Sequence, residues 1–170
     1  MIDQFDFSLI YVRYAAGREA TSPFYLSGVR IAVGTMRSRL NDVKWVELPS
    51  KVDERGVLTS IESGSDIDFE IKRVFYMHHI TGDRGGHAHV DTDQVVTAVA
   101  GSLKMDVSDG AASQSYELND PKYGVYTPRM VFIRLYDFSP GAVCLVLAST
   151  HYDISKSIRS WEEYVKAIQG

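Results

Sequence analysis

The sequence predicts an all-β fold, a jelly-roll sandwich or barrel, finished by one short C-terminal α-helix. Three observations predict it. From Val43 onward, apolar segments rich in Val, Ile, Phe and Tyr recur at roughly eight- to twelve-residue spacing, the rhythm of short antiparallel strands. Turn residues separate them, as in Ser108-Asp109-Gly110 and Ser139-Pro140-Gly141, where Gly and Asp tolerate dihedrals that other residues avoid. The end of the chain changes period: Ser160-Trp161-Glu162-Glu163 is a capping box, and Trp161, Tyr164, Val165 and Ile168 repeat at helical spacing.

In chain order, residues 1–42 read as an N-terminal extension without a motif. Ile10–Tyr14 and Val29–Val33 each fit a short strand, with a Gly-, Ser- and Pro-punctuated stretch from Gly17 to Gly28 between them. Composition changes near Asn41-Asp42, so the main domain is expected to span 43–170. Its strands are expected at Val43–Leu48, Gly56–Ile61, Ile71–Ile80, Gln94–Ala100, Leu103–Val107, Ser115–Leu118, Gly124–Thr127, Met130–Phe138 and Val143–Ala148. No internal repeat and no low-complexity tract interrupts them. The aromatic stripe of the terminal helix is expected to pack on the strands.

The 170 residues suffice for one domain with a sizeable core. A net charge of -4 gives no basic footprint for nucleic acid, although a few local arginines still suit a small anion. The only cysteine, Cys144, sits in the apolar run Ala142–Leu147 and is expected to be a buried hydrophobe. One cysteine forms no disulfide within the chain, which favours a reducing compartment. The start, Met1–Phe7, is acidic and lacks a signal-peptide pattern, and no apolar run is long enough to span a membrane. A cytoplasmic protein without a membrane partner is the expectation.

Arg84-Gly85-Gly86-His87-Ala88-His89 is the stretch with the most chemistry. On a strand, residues two apart share a face, so His87 and His89 project together. Imidazole moves protons near neutral pH and also binds metals. His87, His89, Gln94 and Gly101 stand at the spacing of a cupin motif. A metal-binding cupin takes a carboxylate where this chain has Gln94, and a further histidine from Met130–Asp137, where none occurs. Two neutral imidazoles and an amide make a poor site for zinc or iron, so acid–base use of the pair is the better reading. His78 and His79 are adjacent and face opposite ways on a strand; His151 belongs to a loop. Gly82-Asp83-Arg84-Gly85-Gly86 is too short for a dinucleotide fingerprint, so no redox cofactor is signalled.

With these residues assembled, the chain from Val43 to Ile168 resembles the WxcM-like sugar 3,4-ketoisomerases. The blocks that carry the likeness are Asp53–Leu58, Lys72–Tyr76, Arg84–His89, Tyr136–Ser139 and the tail Leu145–Ile154 running on to Ile158–Tyr164. The resemblance implies an RmlC-like cupin jelly roll that needs no metal or other cofactor. It also implies a homodimer acting on dTDP-4-keto-6-deoxyglucose and feeding an aminotransferase in deoxyamino-sugar synthesis. The ketone moves from C4 to C3 by proton transfer through an enediol-like intermediate.

The same resemblance assigns roles. His87 becomes the proton shuttle, His89 its support, and Tyr76 a donor to a sugar oxygen. Arg55 and Arg84 are placed on the diphosphate, since a guanidinium forks onto such oxygens. Glu54, Gln94 and Ile133 fall at substrate-binding positions. Two of these depart from the family pattern: Glu54 stands where Tyr or Arg is usual, and Ile133 where a polar residue faces the pocket. Ile133 supports one alternative, a non-catalytic nucleotide-sugar-binding cupin; a second, an epimerase of a related 4-keto sugar, shares the proton-abstraction step.

Overall fold

A computed structural model describes residues 39–169, so the two strands expected before Arg39 lie outside the described residues. A 3₁₀ turn at Arg39–Asp42 leads in, with Leu40 buried. Twelve strands and one α-helix follow: β1 (Lys44–Glu47), β2 (Ser50–Asp53), β3 (Gly56–Thr59), β4 (Arg73–Met77), β5 (Arg84–His89), β6 (Gln94–Ala100), β7 (Leu103–Ser108), β8 (Ser113–Leu118), β9 (Tyr123–Thr127), β10 (Phe132–Tyr136), β11 (Val143–Ala148), β12 (Ser157–Ile158) and α1 (Trp161–Gln169).

The strands form two five-stranded antiparallel sheets, ordered β1-β9-β6-β11-β4 and β12-β5-β10-β7-β8, with β2 and β3 making a separate hairpin. One core lies between the sheets. Val96, Ala98, Val125, Cys144 and Val146 come from the first, and Leu103, Met105, Val107, Leu118, Ile133 and Leu135 from the second. This is the expected jelly roll, although the backbone pairings leave two sheets rather than one closed ring. The Cys144 thiol is fully buried, and burial pushes its pKa up to about 12.

Differences from expectation have local causes. The segment expected at Ile71–Ile80 narrows to β4, because His79 takes a left-handed φ of 51° and ends the extended run. β2 and β12 are short and polar, Ser50-Lys51-Val52-Asp53 and Ser157-Ile158, so apolar periodicity gives no sign of them.

The terminal helix behaves as its capping box predicts. Ser160 Oγ accepts from the Glu163 amide at 3.4 Å, closing the first turn. Tyr164 is fully buried, and its hydroxyl donates to the carbonyls of Ser108 and Met130, each at 2.9 Å. Phe132 stacks edge-on against Trp161 at 5.2 Å and packs on Tyr164. These contacts bolt α1 across the outer face of β10 and β5.

Candidate active site

Strand parity places the histidines. Ile133 belongs to the core, and His87 stands opposite it in the β5–β10 register. Residues directly opposite share a face, so His87 and His89 point between the sheets, while Ala88 and Phe132 point out under α1. The first sheet supplies the other wall. Val96, Ala98 and Val146 line its inner face, so Gln94, two residues before Val96, shares it. The register then sets Arg73, Ala148, Gln94 and Thr127 in one row across four strands. The next row, Phe75, Val146, Val96 and Val125, is wholly apolar. One end of the interior is therefore polar, and the histidine strand faces it.

A glycine bulge shapes the histidine strand. The register of β5 against β10 shifts between Ile133 and Arg134, and Gly85 and Gly86 take φ values of 80° and 67°. A Cβ on Gly85 would lie 2.8 Å from the Ile133 carbonyl oxygen, so the position admits only glycine. The bulge turns the Gly85 carbonyl toward His87, whose Nδ1 lies 3.0 Å from it. A carbonyl only accepts, so Nδ1 of His87 carries the proton and its Nε2 carries the lone pair. That lone pair faces His89 Nε2 at 3.1 Å, which makes His89 Nε2 the donor. On its far side, His89 Nδ1 lies 3.2 Å from Ser157 Oγ.

The electrostatics favour neutral rings. Burial holds His87 below the usual histidine range, and Arg159 reinforces this against the opposing Gly85 hydrogen bond. Burial, with the neighbouring His87 and Arg73, lowers His89 to about 4, against a smaller opposing effect of Asp91. Two imidazoles thus hold a lone pair and an N–H against each other, beside two arginines.

Arg73 and Arg159 are residues the sequence reading did not single out. The Arg73 guanidinium lies over the rings of Phe75 and Tyr152, at 5.0 and 5.2 Å from their centroids. Its Nε and Thr127 Oγ1 are the buried polar side-chain atoms without a hydrogen-bond partner among the described residues. Both belong to the polar row, and groups of this kind are costly to bury unpaired. No three His, Cys, Asp or Glu groups among the described residues are arranged to hold a metal ion.

The other sequence-derived residues fall in two sets. Gln94 is buried on the wall facing the histidines, Ile133 packs opposite His87, and Arg84 is exposed at the start of β5, opposite Leu135. Tyr76, Glu54 and Arg55 are not brought to the pair within this chain. Tyr76 follows Phe75, which packs on the core, so it faces outward and is 63% exposed, leaning on His78. Glu54 and Arg55 form the tip of the β2–β3 hairpin, where Arg55 pairs with Asp53 at 2.6 Å.

Comparison with known proteins comes to the same region. Residues 41–169 match the model of the family described as FdtA, WxcM-like, C-terminal. A TDP-4-oxo-6-deoxy-alpha-D-glucose-3,4-oxoisomerase of Aneurinibacillus thermoaerophilus is 36% identical over 127 residues, covering 74% of this chain and 91% of the relative. A 3,4-ketoisomerase crystal structure from Helicobacter canadensis superposes with a TM-score of 0.74 at 34% identity, covering 76% of this chain and 98% of that one. A sugar 3,4-ketoisomerase of Thermoanaerobacterium thermosaccharolyticum, solved in complex with TDP, gives 0.74 at 36% identity over 76% and 96% of the two chains.

Proposed function

Because the chain belongs to the WxcM-like C-terminal family, we propose that it is a TDP-sugar 3,4-ketoisomerase whose His87–His89 pair moves a ketone from C4 to C3 of TDP-4-keto-6-deoxyglucose. The observation that carries this reading is the pair itself: a lone pair and an N–H donor 3.1 Å apart, held neutral in a polar pocket. An α-hydroxyketone offers the complementary groups, an acidic C3–H beside a C4 carbonyl.

The steps balance without an outside reactant. Substrate entering between the rings breaks the 3.1 Å hydrogen bond and frees both groups. His87 Nε2 takes the proton from C3, the C3–C4 double bond forms, and negative charge develops on O4. The His89 N–H faces that charge in a water-poor site, where a fixed donor is worth more than in water. The O3 proton passes to O4, O3 closes to the new carbonyl, and His87 returns its proton to C4. General acid–base transfer of this kind supplies about 10²–10⁴-fold. No step calls on a metal ion. Arg73 and Arg159 supply positive charge for the diphosphate, and Gln94 and Thr127 offer polar contacts to the sugar.

The enzyme also works as a homodimer in this reading. Val52, Val57 and Leu58 on the hairpin are 73, 57 and 62% exposed, and Val74 and Tyr76 leave the outer face of the edge strand β4 apolar. Such surface is characteristic of an interface, and Glu54, Arg55 and Tyr76 then face a second copy. Light scattering after size exclusion should return twice the 19.0 kDa chain mass. The product serves a cytoplasmic aminotransferase, for which the 3-keto group is the acceptor.

The deciding experiment incubates TDP-4-keto-6-deoxyglucose with the protein in deuterated water and follows the sugar by NMR. Loss of the C3 proton signal with appearance of a 3-keto product is expected. Deuterium at C5 would indicate an epimerase, and binding without any exchange a non-catalytic module.

A further inference from the structure

We propose that Ser157 is a positioning residue for the isomerisation, fixing the proton of His89 on Nε2 so that the pair presents one base and one donor. The proposal rests on the acid–base reading above, but its geometry stands apart from the substrate. Three hydrogen bonds run in series: Ser157 Oγ to His89 Nδ1 at 3.2 Å, His89 Nε2 to His87 Nε2 at 3.1 Å, and His87 Nδ1 to the Gly85 carbonyl at 3.0 Å.

The last partner can only accept, which sets the direction of the whole chain. With His87 protonated at Nδ1 and His89 at Nε2, the one vacancy left is the lone pair on His89 Nδ1. The Ser157 hydroxyl fills it. A neutral imidazole in water divides its proton between two nitrogens; here each ring is held at both ends, one by the bulge carbonyl and one by a serine. Without the hydroxyl, His89 loses the bond that favours its Nε2–H form. In the other tautomer it turns a second lone pair toward His87 and no donor toward O4.

Ser157 owes its place to β12, whose two residues pair Ser157 with His89 and Ile158 with Ala88. The strand is followed at once by α1, bolted down through Tyr164. The serine is thus carried by a fixed element, as a tautomer-setting group must be.

The test uses the full chain labelled with ¹⁵N at histidine, observed without substrate by long-range ¹H–¹⁵N correlation above pH 7. His87→Asn and His89→Asn assign the two rings by the signals they remove. The wild type should show His87 protonated at Nδ1 and His89 at Nε2. Ser157→Ala should move His89 to a mixture of tautomers and lower kcat about fivefold, the worth of one hydrogen bond, with KM changed less than about twofold. Protection of the Ala88 and Ile158 amides reports that β12 remains paired. Ser157→Thr, which keeps the hydroxyl, should restore both the tautomer and kcat. A His89 that stays fully at Nε2–H in Ser157→Ala overturns the proposal. A Ser157-dependent tautomer pattern in a protein that does not exchange the C3 proton would overturn the isomerase reading and leave standing only that Ser157 sets the His89 tautomer.

Discussion

The chain holds two close histidine pairs, and they differ in burial and in hydrogen bonding. His78 and His79 are neighbours in sequence, with Nδ1 atoms 2.5 Å apart and rings 4.7 Å apart, both exposed just beyond β4. His87 and His89 are similarly close, with rings 4.6 Å apart. The difference lies in what surrounds them. The β5 pair is half-buried between two sheets, its outer nitrogens end on Gly85 and Ser157, and burial with two nearby arginines favours the neutral form of both rings. Proximity of two imidazoles is common to both pairs; fixed proton positions belong to one.

The comparison is broken most sharply by removing its central ring. His87→Asn should lower C3 proton exchange by about 10²–10⁴-fold while leaving the melting temperature within a few degrees of wild type. Full activity in that variant would remove His87 from the mechanism. Next in size is the bulge. Gly85→Ala combines a left-handed φ with the 2.8 Å approach to the Ile133 carbonyl, so denaturant unfolding should show a loss of about 1–3 kcal/mol. Activity should fall further than stability, because the carbonyl that orients His87 moves. Tyr164→Phe leaves the carbonyls of Ser108 and Met130 without their shared donor, at a cost of about 1–3 kcal/mol by the same measurement.

Acid titration sharpens the contrast. His89 sits at about 4 when folded against 6.5 in the unfolded chain, so between those values the unfolded state binds more protons. Its contribution to stability is therefore complete above about pH 6.5 and is lost as pH falls toward 4. The same direction for His87 means that kcat/KM should hold through neutral pH and decline on the acid side only below 6.5. A decline beginning well above 6.5 would contradict neutral, buried rings. The smallest effect is expected at the other pair. His79→Asn keeps a residue that tolerates the left-handed backbone, and with His78→Asn it should change stability by less than about 0.5 kcal/mol.

How much of this was legible beforehand depended on parity and partners. The i, i+2 spacing of His87 and His89 fixed their common face, and turn and cap residues located most strands and α1. Motif spacing singles out Gln94, and the register sets it in one row with Ala148 and Thr127. Arg73 was not visible as a site residue, since an arginine in a strand ordinarily faces water. Only the register with Ala148 and Gln94 shows that it belongs to the inner row. The same parity turns Tyr76 outward, three residues from Arg73 and so on the opposite face. Ser157 depends on a two-residue strand without hydrophobic pattern, and its contact with His89 spans 68 positions. Local sequence carries no signal over that distance.

The buried thiol described in the core has a practical consequence. Cys144 is the chain's one cysteine, fully covered and with its pKa pushed up to about 12, so almost none of it is thiolate near neutral pH. The folded protein is thus silent to maleimides and other thiol-directed probes. A single cysteine introduced at an exposed polar position of α1, as in Lys166→Cys, would become the one reactive position. A spin label there would report the surroundings of α1 directly from the native sequence background, with no cysteine to remove first.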